Sequence, residues 1–313
     1  MAIFQFKPIY KKKIWGGGRL KFFSAKHNHQ QLTEVGEVWE LVDRKEERSE
    51  LEVPCGSMNN LHELWLNKRE EIFGKKSPAG SHFPLIIKIL DCRLPTSIQV
   101  HPDENTAKIH GWEKKTEFWF FLDTAPGSFV YLGFKERLFP GQLASVIGKK
   151  EIIKYINAIP TSRSHGLLVH SGQVHAIGGG NLILEIQENS DTTFRIYDWE
   201  RKGGDGHPRP IHDREAMHSL SLFPYTPRLL PPEEISIIEK SFALKRIELG
   251  PGQSLLHLID EDSFMYFFFC EGKLLVEKKL YEKGQALLVS ADHGPLKITG
   301  IDKKNEIVAV YFP

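Results

Sequence analysis

The sequence predicts a mainly β chain made of a larger unit followed by a smaller one, and three observations carry that reading. Short apolar or alternating runs bounded by Gly, Pro, Asn and Asp recur along most of the 313 residues. Helical periodicity is confined to a few stretches. The segment Phe223-Pro-Tyr-Thr-Pro-Arg-Leu-Leu-Pro-Pro232, with four prolines, reads as a linker. The expected units are residues 1–229 and 230–313.

In chain order, strands are expected over Trp39–Val42, Leu85–Leu90, Ser97–His101, Glu117–Leu122 and Leu182–Glu188. Leu61, Leu64, Trp65 and Ile72 share one side of an amphipathic helix over Leu61–Phe73, which Gly74 can end. A short helix is expected over Asp103–His110, and Gly141–Ile159 reads as one helix or two broken near Gly148-Lys149. Beyond the linker, Gly272–Val276 and Gly284–Val289 have the turn-then-strand rhythm of a small jelly roll.

Composition narrows the function classes. Hydrophobic content of 41%, charged content of 26% and a net charge of +1 describe an ordinary globular protein with no overall pull toward nucleic acid or membrane. Cys55, Cys92 and Cys270 are far apart, which suits a reducing compartment and argues against a Cys-type zinc site. The N-terminal residues have no signal-peptide pattern, so a cytoplasmic location is expected.

The densest chemical signal is Ser97-Ile-Gln-Val-His101-Pro, with Glu117 sixteen residues after His101. Side chains alternate along a strand, so Ser97, Gln99 and His101 share one face. Polar groups on the inner face of an apolar strand are costly unless they bind something, and a divalent metal, zinc foremost, explains Gln, His and Glu together. His175, between Ser171-Gly-Gln-Val and a Gly run, is a further candidate ligand. In Asn181–Trp199 two strand-like segments flank a polar turn. Ile183, Glu185 and Gln187 share one face of the first, and Thr193, Arg195, Tyr197 and Trp199 one face of the second. Arg195 is shaped to grip a phosphate or carboxylate with two prongs, its bland alternative being an ion pair with Asp191 or Asp198. Trp119 and Phe121 are expected as core or cavity wall.

These residues resemble the type I mannose-6-phosphate isomerases, zinc enzymes on the cupin jelly roll. The resemblance runs in order through Ile14–Leu20, Gly36–Asp43, Phe83–Asp91, Ser97–Pro102, Lys115–Glu117, Val174–Ile177, Glu185–Gln187, Ser190-Asp191 and Thr193–Arg201, the first two thirds of the chain. It is closest to the short bacterial branch, there being no room for the large helical insertion of longer members. His101-Pro-Asp-Glu-Asn105 departs from the family where two Asp often follow His-Pro.

The resemblance implies a cupin barrel with a few helices in 1–229, and 230–313 reads beside it as a degenerate cupin-like β unit. It implies one zinc ion per chain on Gln99, His101, Glu117 and His175, with Gln99 the weakest ligand. It implies interconversion of D-mannose 6-phosphate and D-fructose 6-phosphate by enediol proton transfer. Glu185 is the chosen proton shuttle, with a metal-bound water as rival. Lys115 and Arg195, with Ser97 and Arg201, would hold the phosphate and orient C1 and C2. The expected partner is a small sugar phosphate, with no nucleic acid or membrane, and the chain is a monomer or homodimer. Two alternatives remain. An iron cupin oxygenase predicts a His-x-His start, where this chain has Gln99-Val100-His101, and a non-catalytic sugar-phosphate-binding cupin predicts a damaged site.

Overall fold

The computed structural model describes residues 2–23, 34–258 and 262–313. Four of the five sheets among the described residues stack one behind another. The sheet that carries most of the site contains, in spatial order, Gly166–Val169, Glu117–Thr124, Asn181–Glu188, Leu85–Cys92, Ile9–Gly17 and Val35–Leu41. Its inner face meets a second sheet of Ile156–Pro160, Phe129–Phe134, His175–Ile177, Ile98–Val100 and Phe194–Tyr197. Trp119, Phe121 and Ile183 of the first sheet touch Val130, Leu132 and Ile177 of the second, which closes one end of the sandwich.

The alternate residues of the first sheet, Ile87, Ile89, Phe118, Phe120, Leu184 and Ile186, point away and pack on Leu244, Tyr266, Phe268, Leu288, Val308 and Val310. Those belong to a third sheet, whose far face packs Phe267, Phe269 and Leu287 on Leu274, Val276 and Ile298 of a fourth. Strands buried on both faces read as near-continuous apolar runs, as Met265–Glu271 does up to its last residue and Leu85–Cys92 does apart from Lys88 and Asp91. The second sheet is covered outside by helices: Leu143, Val146 and Ala216 pack on Ile98, Val100 and Ile196.

The expected strands form, with ends shifted by a residue or two except that the one expected from Trp39 begins at Val35. Three expectations are corrected. The helix Leu61–Asn67, capped by Asn60, gives way at Lys68 to a wider turn over Arg69–Phe73, closed by Gly74 at φ 88°. Helix also stops earlier than expected after Gly141. Pro140–Val146 is helical and Lys150–Tyr155 a tight 3-10 turn, but Ile156–Pro160 is a strand pairing with Phe129–Phe134. Its alternating burial, with Ile156 inside, is the signal that helical periodicity obscured. A bulge between Arg195 and Tyr197 breaks the expected common face: Arg195 turns to the cavity, while Tyr197 joins the apolar cluster under the helices. Trp199, at φ 58°, lies beyond the strand and donates to the Thr96 carbonyl at 2.7 Å.

The third sheet takes its edge strand from the other end of the chain, since Ile3–Phe4 pairs with Ala286–Val289. The two halves are further tied by Ser164 Oγ donating to Glu306 at 3.0 Å and by an Arg163–Glu271 ion pair.

Candidate active site

Two rows of side chains face each other across the first sandwich. In the second sheet Gln99 stands between neighbours, paired with His175 on one side and Arg195 on the other. In the first sheet Glu185 stands between Lys88 and Trp119. Directly opposed residues of an antiparallel pair share a face, so the register alone delivers both rows to the same space. All of them but His175 border a cavity of about 270 Å³ that also includes Lys13, Glu37, Ser97, Lys115, Asp191 and Arg209. Its charged lining holds five cations, Lys13, Lys88, Lys115, Arg195 and Arg209, against three acids, Glu37, Glu185 and Asp191. That balance favours an anionic guest.

At the inner end His101, Glu117 and His175 converge, each offering an atom within 4.8 Å of the others. All three are buried. His101 Nδ1 lies 2.8 Å from the Thr192 carbonyl and His175 Nδ1 lies 2.9 Å from the Gln173 carbonyl. A carbonyl only accepts, so both Nδ1 atoms carry the proton and both Nε2 atoms present lone pairs. His101 Nε2 is 3.7 Å from Glu117 Oε2, and His175 Nε2 is 3.4 Å from Glu117 Oε1. Both Glu117 oxygens and His101 Nε2 are buried without a hydrogen-bond partner. Lone pairs facing a carboxylate repel unless a cation lies between them, and two Nε2 atoms with one carboxylate form a donor set that zinc or another borderline divalent ion accepts. Proton binding does not relieve the clash. Burial pushes the His101 imidazole well below its usual range, helped by Lys115 and His175, and burial takes His175 down to about 4.

Gln99 is beside this group, its Nε2 3.2 Å from His175 Nε2, while Ser97 Oγ donates to its Oε1 at 3.2 Å. A half-turn of the amide brings the oxygen to the same place. Lys115 Nζ sits 3.3 Å from Glu117 Oε2. Burial disfavours the Lys115 charge, but Glu117 and Glu185 outweigh it and raise the pKa. Glu185 accepts from Trp119 Nε1 at 3.2 Å and lies 3.5 Å from Lys88 Nζ. Burial first and Glu117 second push its carboxyl up, against Lys115 and Lys88.

At the outer end Arg195 Nη1 donates to the Pro210 carbonyl at 2.8 Å, and its Nε is buried without a partner. Asp198 is occupied by Arg209, at 2.5 and 2.7 Å, and by Arg201. Of the two ion pairs that were the bland alternative for Arg195, the one with Asp198 is therefore taken by its neighbours, while Asp191 lines the same cavity. Arg201 is turned aside: it donates to Asp198 and the Pro95 carbonyl, and Arg209 takes the place on the cavity wall.

Sequence reasoning passed over Lys88, Glu37 and Arg209. A lysine in the middle of Leu85-Ile-Ile-Lys-Ile-Leu90 was a signal, since a lysine is almost never fully buried unless paired. Glu37 is held at about 2: burial works against its charge, but Lys88 and Lys13 prevail, with a hydrogen bond from Trp39 Nε1. Arg209 lies outside any strand, in a loop that periodicity does not describe.

Comparison with known proteins gives the family. The family model for the type I phosphomannose isomerase catalytic domain matches residues 3–119. A mannose-6-phosphate isomerase of Bacillus subtilis, ManA, is 34% identical over 219 residues, 69% of this chain and 67% of that one. The chain belongs to the type I phosphomannose isomerase family. Another family member, the mannose-6-phosphate isomerase of Streptococcus mutans, is 34% identical over 212 residues, covering 67% of this chain and 65% of its own. A crystal structure of the Bacillus subtilis mannose 6-phosphate isomerase superposes with a TM-score of 0.84 at 25% identity, covering 99% of both chains. The Salmonella typhimurium isomerase, at 16% identity and a TM-score of 0.73, shares the fold over the full length of both. The cupin fold expected of this chain is thus the fold it has, and the family is one of aldose–ketose isomerases.

Proposed function

We propose that this chain interconverts mannose 6-phosphate and fructose 6-phosphate, using one zinc ion held by His101, Glu117 and His175, with Gln99 as a weaker fourth ligand. The carrying observation is the pair of unprotonated Nε2 atoms aimed at the buried Glu117 carboxylate, which also faces the Lys115 ammonium at 3.3 Å. When bound, such an ion acts as a Lewis acid toward the sugar oxygens.

The chain's own residues supply the rest. Arg195 and Arg209 at the outer end grip the phosphate, fixing C1 and C2 near the inner end. Glu185 carries the proton between C2 and C1. Its raised pKa brings it closer to the neutral range, where one carboxyl group can both take and return a proton. Trp119 holds Oε1 in place. Lys115 and Lys88, cationic on either side of Glu185, stabilise negative charge developing on the enediol oxygens. Ser97 fixes Gln99 instead of touching phosphate. We also assign residues 1–229 to the catalytic unit and 230–313 to a degenerate cupin-like unit that borrows Ile3–Phe4.

The test is dialysis against a chelator, with metal content and coupled isomerase turnover measured on the same samples. Both should fall together and return with added Zn²⁺. His175→Ala should lose metal and turnover together, whereas Arg195→Ala should keep its metal and lose turnover. A His175→Ala variant with full metal occupancy and ordinary kinetics would remove the proposed centre.

A further inference from the structure

A second group of potential ligands lies at the other side of the first sheet. Asp43 follows the strand Val35–Leu41, His62 is in the first turn of Leu61–Asn67, and His82 precedes Phe83. One ligand atom from each lies within 4.8 Å of the other two. Asp43 is completely buried. Its Oδ2 accepts from the Phe83 amide at 2.8 Å, and His62 Nδ1 sits against the carboxylate, 3.1 Å from Oδ2 and 3.0 Å from Oδ1. His62 Nδ1 thus faces both carboxylate oxygens, and Arg48 Nε makes a longer ion pair with Oδ1 at 3.9 Å. The His62 and His82 rings stand side by side with centroids 5.0 Å apart, and His82 Nδ1 touches Ser81 Oγ at 2.9 Å.

We propose that Asp43, His62 and His82 form a second site for a divalent transition-metal ion, separate from the catalytic centre and sharing no residue with it. A purely structural Asp–His pair accounts for His62 and for both Asp43 oxygens but leaves the neighbouring His82 imidazole unexplained. Two imidazoles and one carboxylate are a donor set suited to zinc, cobalt or nickel. Zinc bonds of about 2.0–2.1 Å set tetrahedral donors about 3.4 Å apart; His62 Nδ1 and Asp43 stand 3.0–3.1 Å apart, so an ion would part that pair slightly, a change within reach of side-chain rotation at two half-buried histidines. Asp43 and His82 border a cavity of about 530 Å³, which gives an ion its entry path and water for the remaining position. The site is anchored from behind, because Asn189 Nδ2 donates to the carbonyls of Asp43 and Phe83 at 2.7 Å each.

The test counts zinc per chain after equilibrium dialysis of the full-length protein, its His82→Gln variant and its His62→Gln variant. Each variant should hold one ion fewer than the parent while its turnover is unchanged; equal counts overturn the proposal. The readout is a difference, so it stands whether or not the catalytic centre binds zinc. Should either variant fail to fold, crystals of the parent grown with Zn²⁺ decide the matter at the zinc absorption edge. An anomalous peak among the three side chains supports the site, and no peak there overturns it.

Discussion

The two sandwiches of this chain are built alike and filled differently. Between the third and fourth sheets the inward positions are Met265, Phe267, Phe269, Leu274, Leu287 and Ile298, an apolar core. Between the first and second, one end is closed in the same way by Trp119, Phe121, Leu132 and Ile183, but the other end turns to Lys88, Gln99, His101, Lys115, Glu117, His175 and Glu185. Burying those groups is unfavourable unless they satisfy one another or a guest. The third sheet, packed against the back of the catalytic sheet, supplies the apolar burial that offsets this. Pre-set polar geometry on one side thus rests on ordinary packing on the other.

Breaking that division should give opposite phenotypes. Glu185→Gln keeps the shape and the Trp119 contact but cannot carry a proton, so kcat should fall ~10²–10⁴-fold, the range for loss of a general base. The thermal midpoint should hold or rise, since a buried carboxyl under electrostatic stress has been neutralised. A kcat within a few-fold of the parent would move the proton transfer elsewhere. Phe267→Ala should do the reverse: about 3–5 kcal/mol lost in denaturant unfolding, with kcat unchanged for the molecules that remain folded. Equal damage to kcat would show that the two sandwiches are mechanically inseparable.

Acid separates them further. The His175 imidazole titrates at about 4 in the folded chain instead of 6.5, chiefly through burial. Below 6.5 the unfolded chain binds a proton that the folded chain refuses, so the associated stability is present above 6.5 and drains away as pH falls toward 4. For this group alone the loss is on the order of 3 kcal/mol. Urea midpoints of metal-free protein should fall across that window, and His175→Gln should flatten the fall. Phe267→Ala should instead shift the whole curve by a constant amount. A parent curve flat through the window would mean that His175 is not buried neutral.

How far this was legible from sequence follows the same division. Gln99, His101, Glu117 and Glu185 could be read because each interrupts an apolar strand at an inward position, where period two and chemistry agree. His175 could be placed too, beside a strand it enters. Lys88 gave the same signal and was passed over because Leu85–Leu90 reads so well as core. The expected common face of Arg195, Tyr197 and Trp199 failed at a bulge, a one-residue insertion that alternation cannot foresee. Arg209 was invisible because its position depends on Asp198, eleven residues earlier, folding back to meet it. The strand Ile3–Phe4 illustrates the same limit at the scale of the fold: two residues carry no pattern, and only the open edge of Ala286–Val289 gives them a place.

The smallest expected effect distinguishes two arginines that share Asp198. Arg209 lines the cavity and Arg201 is turned toward the Pro95 carbonyl, though both donate to the same carboxylate. If cavity position governs phosphate contact, Arg209→Ala should raise KM for the sugar phosphate about tenfold, near the 1.4 kcal/mol that one charge-assisted contact supplies, with a lesser change in kcat. Arg201→Ala should leave KM nearly unaltered and lower the thermal midpoint slightly, because Asp198 keeps Arg209 as a partner. The double variant sharpens the comparison. With Asp198 stripped of both partners, its buried charge should loosen the segment carrying Arg195, and KM should rise beyond the product of the single effects. A larger KM effect from Arg201→Ala than from Arg209→Ala would reverse the two roles and place the phosphate on the Pro95 side of the cleft.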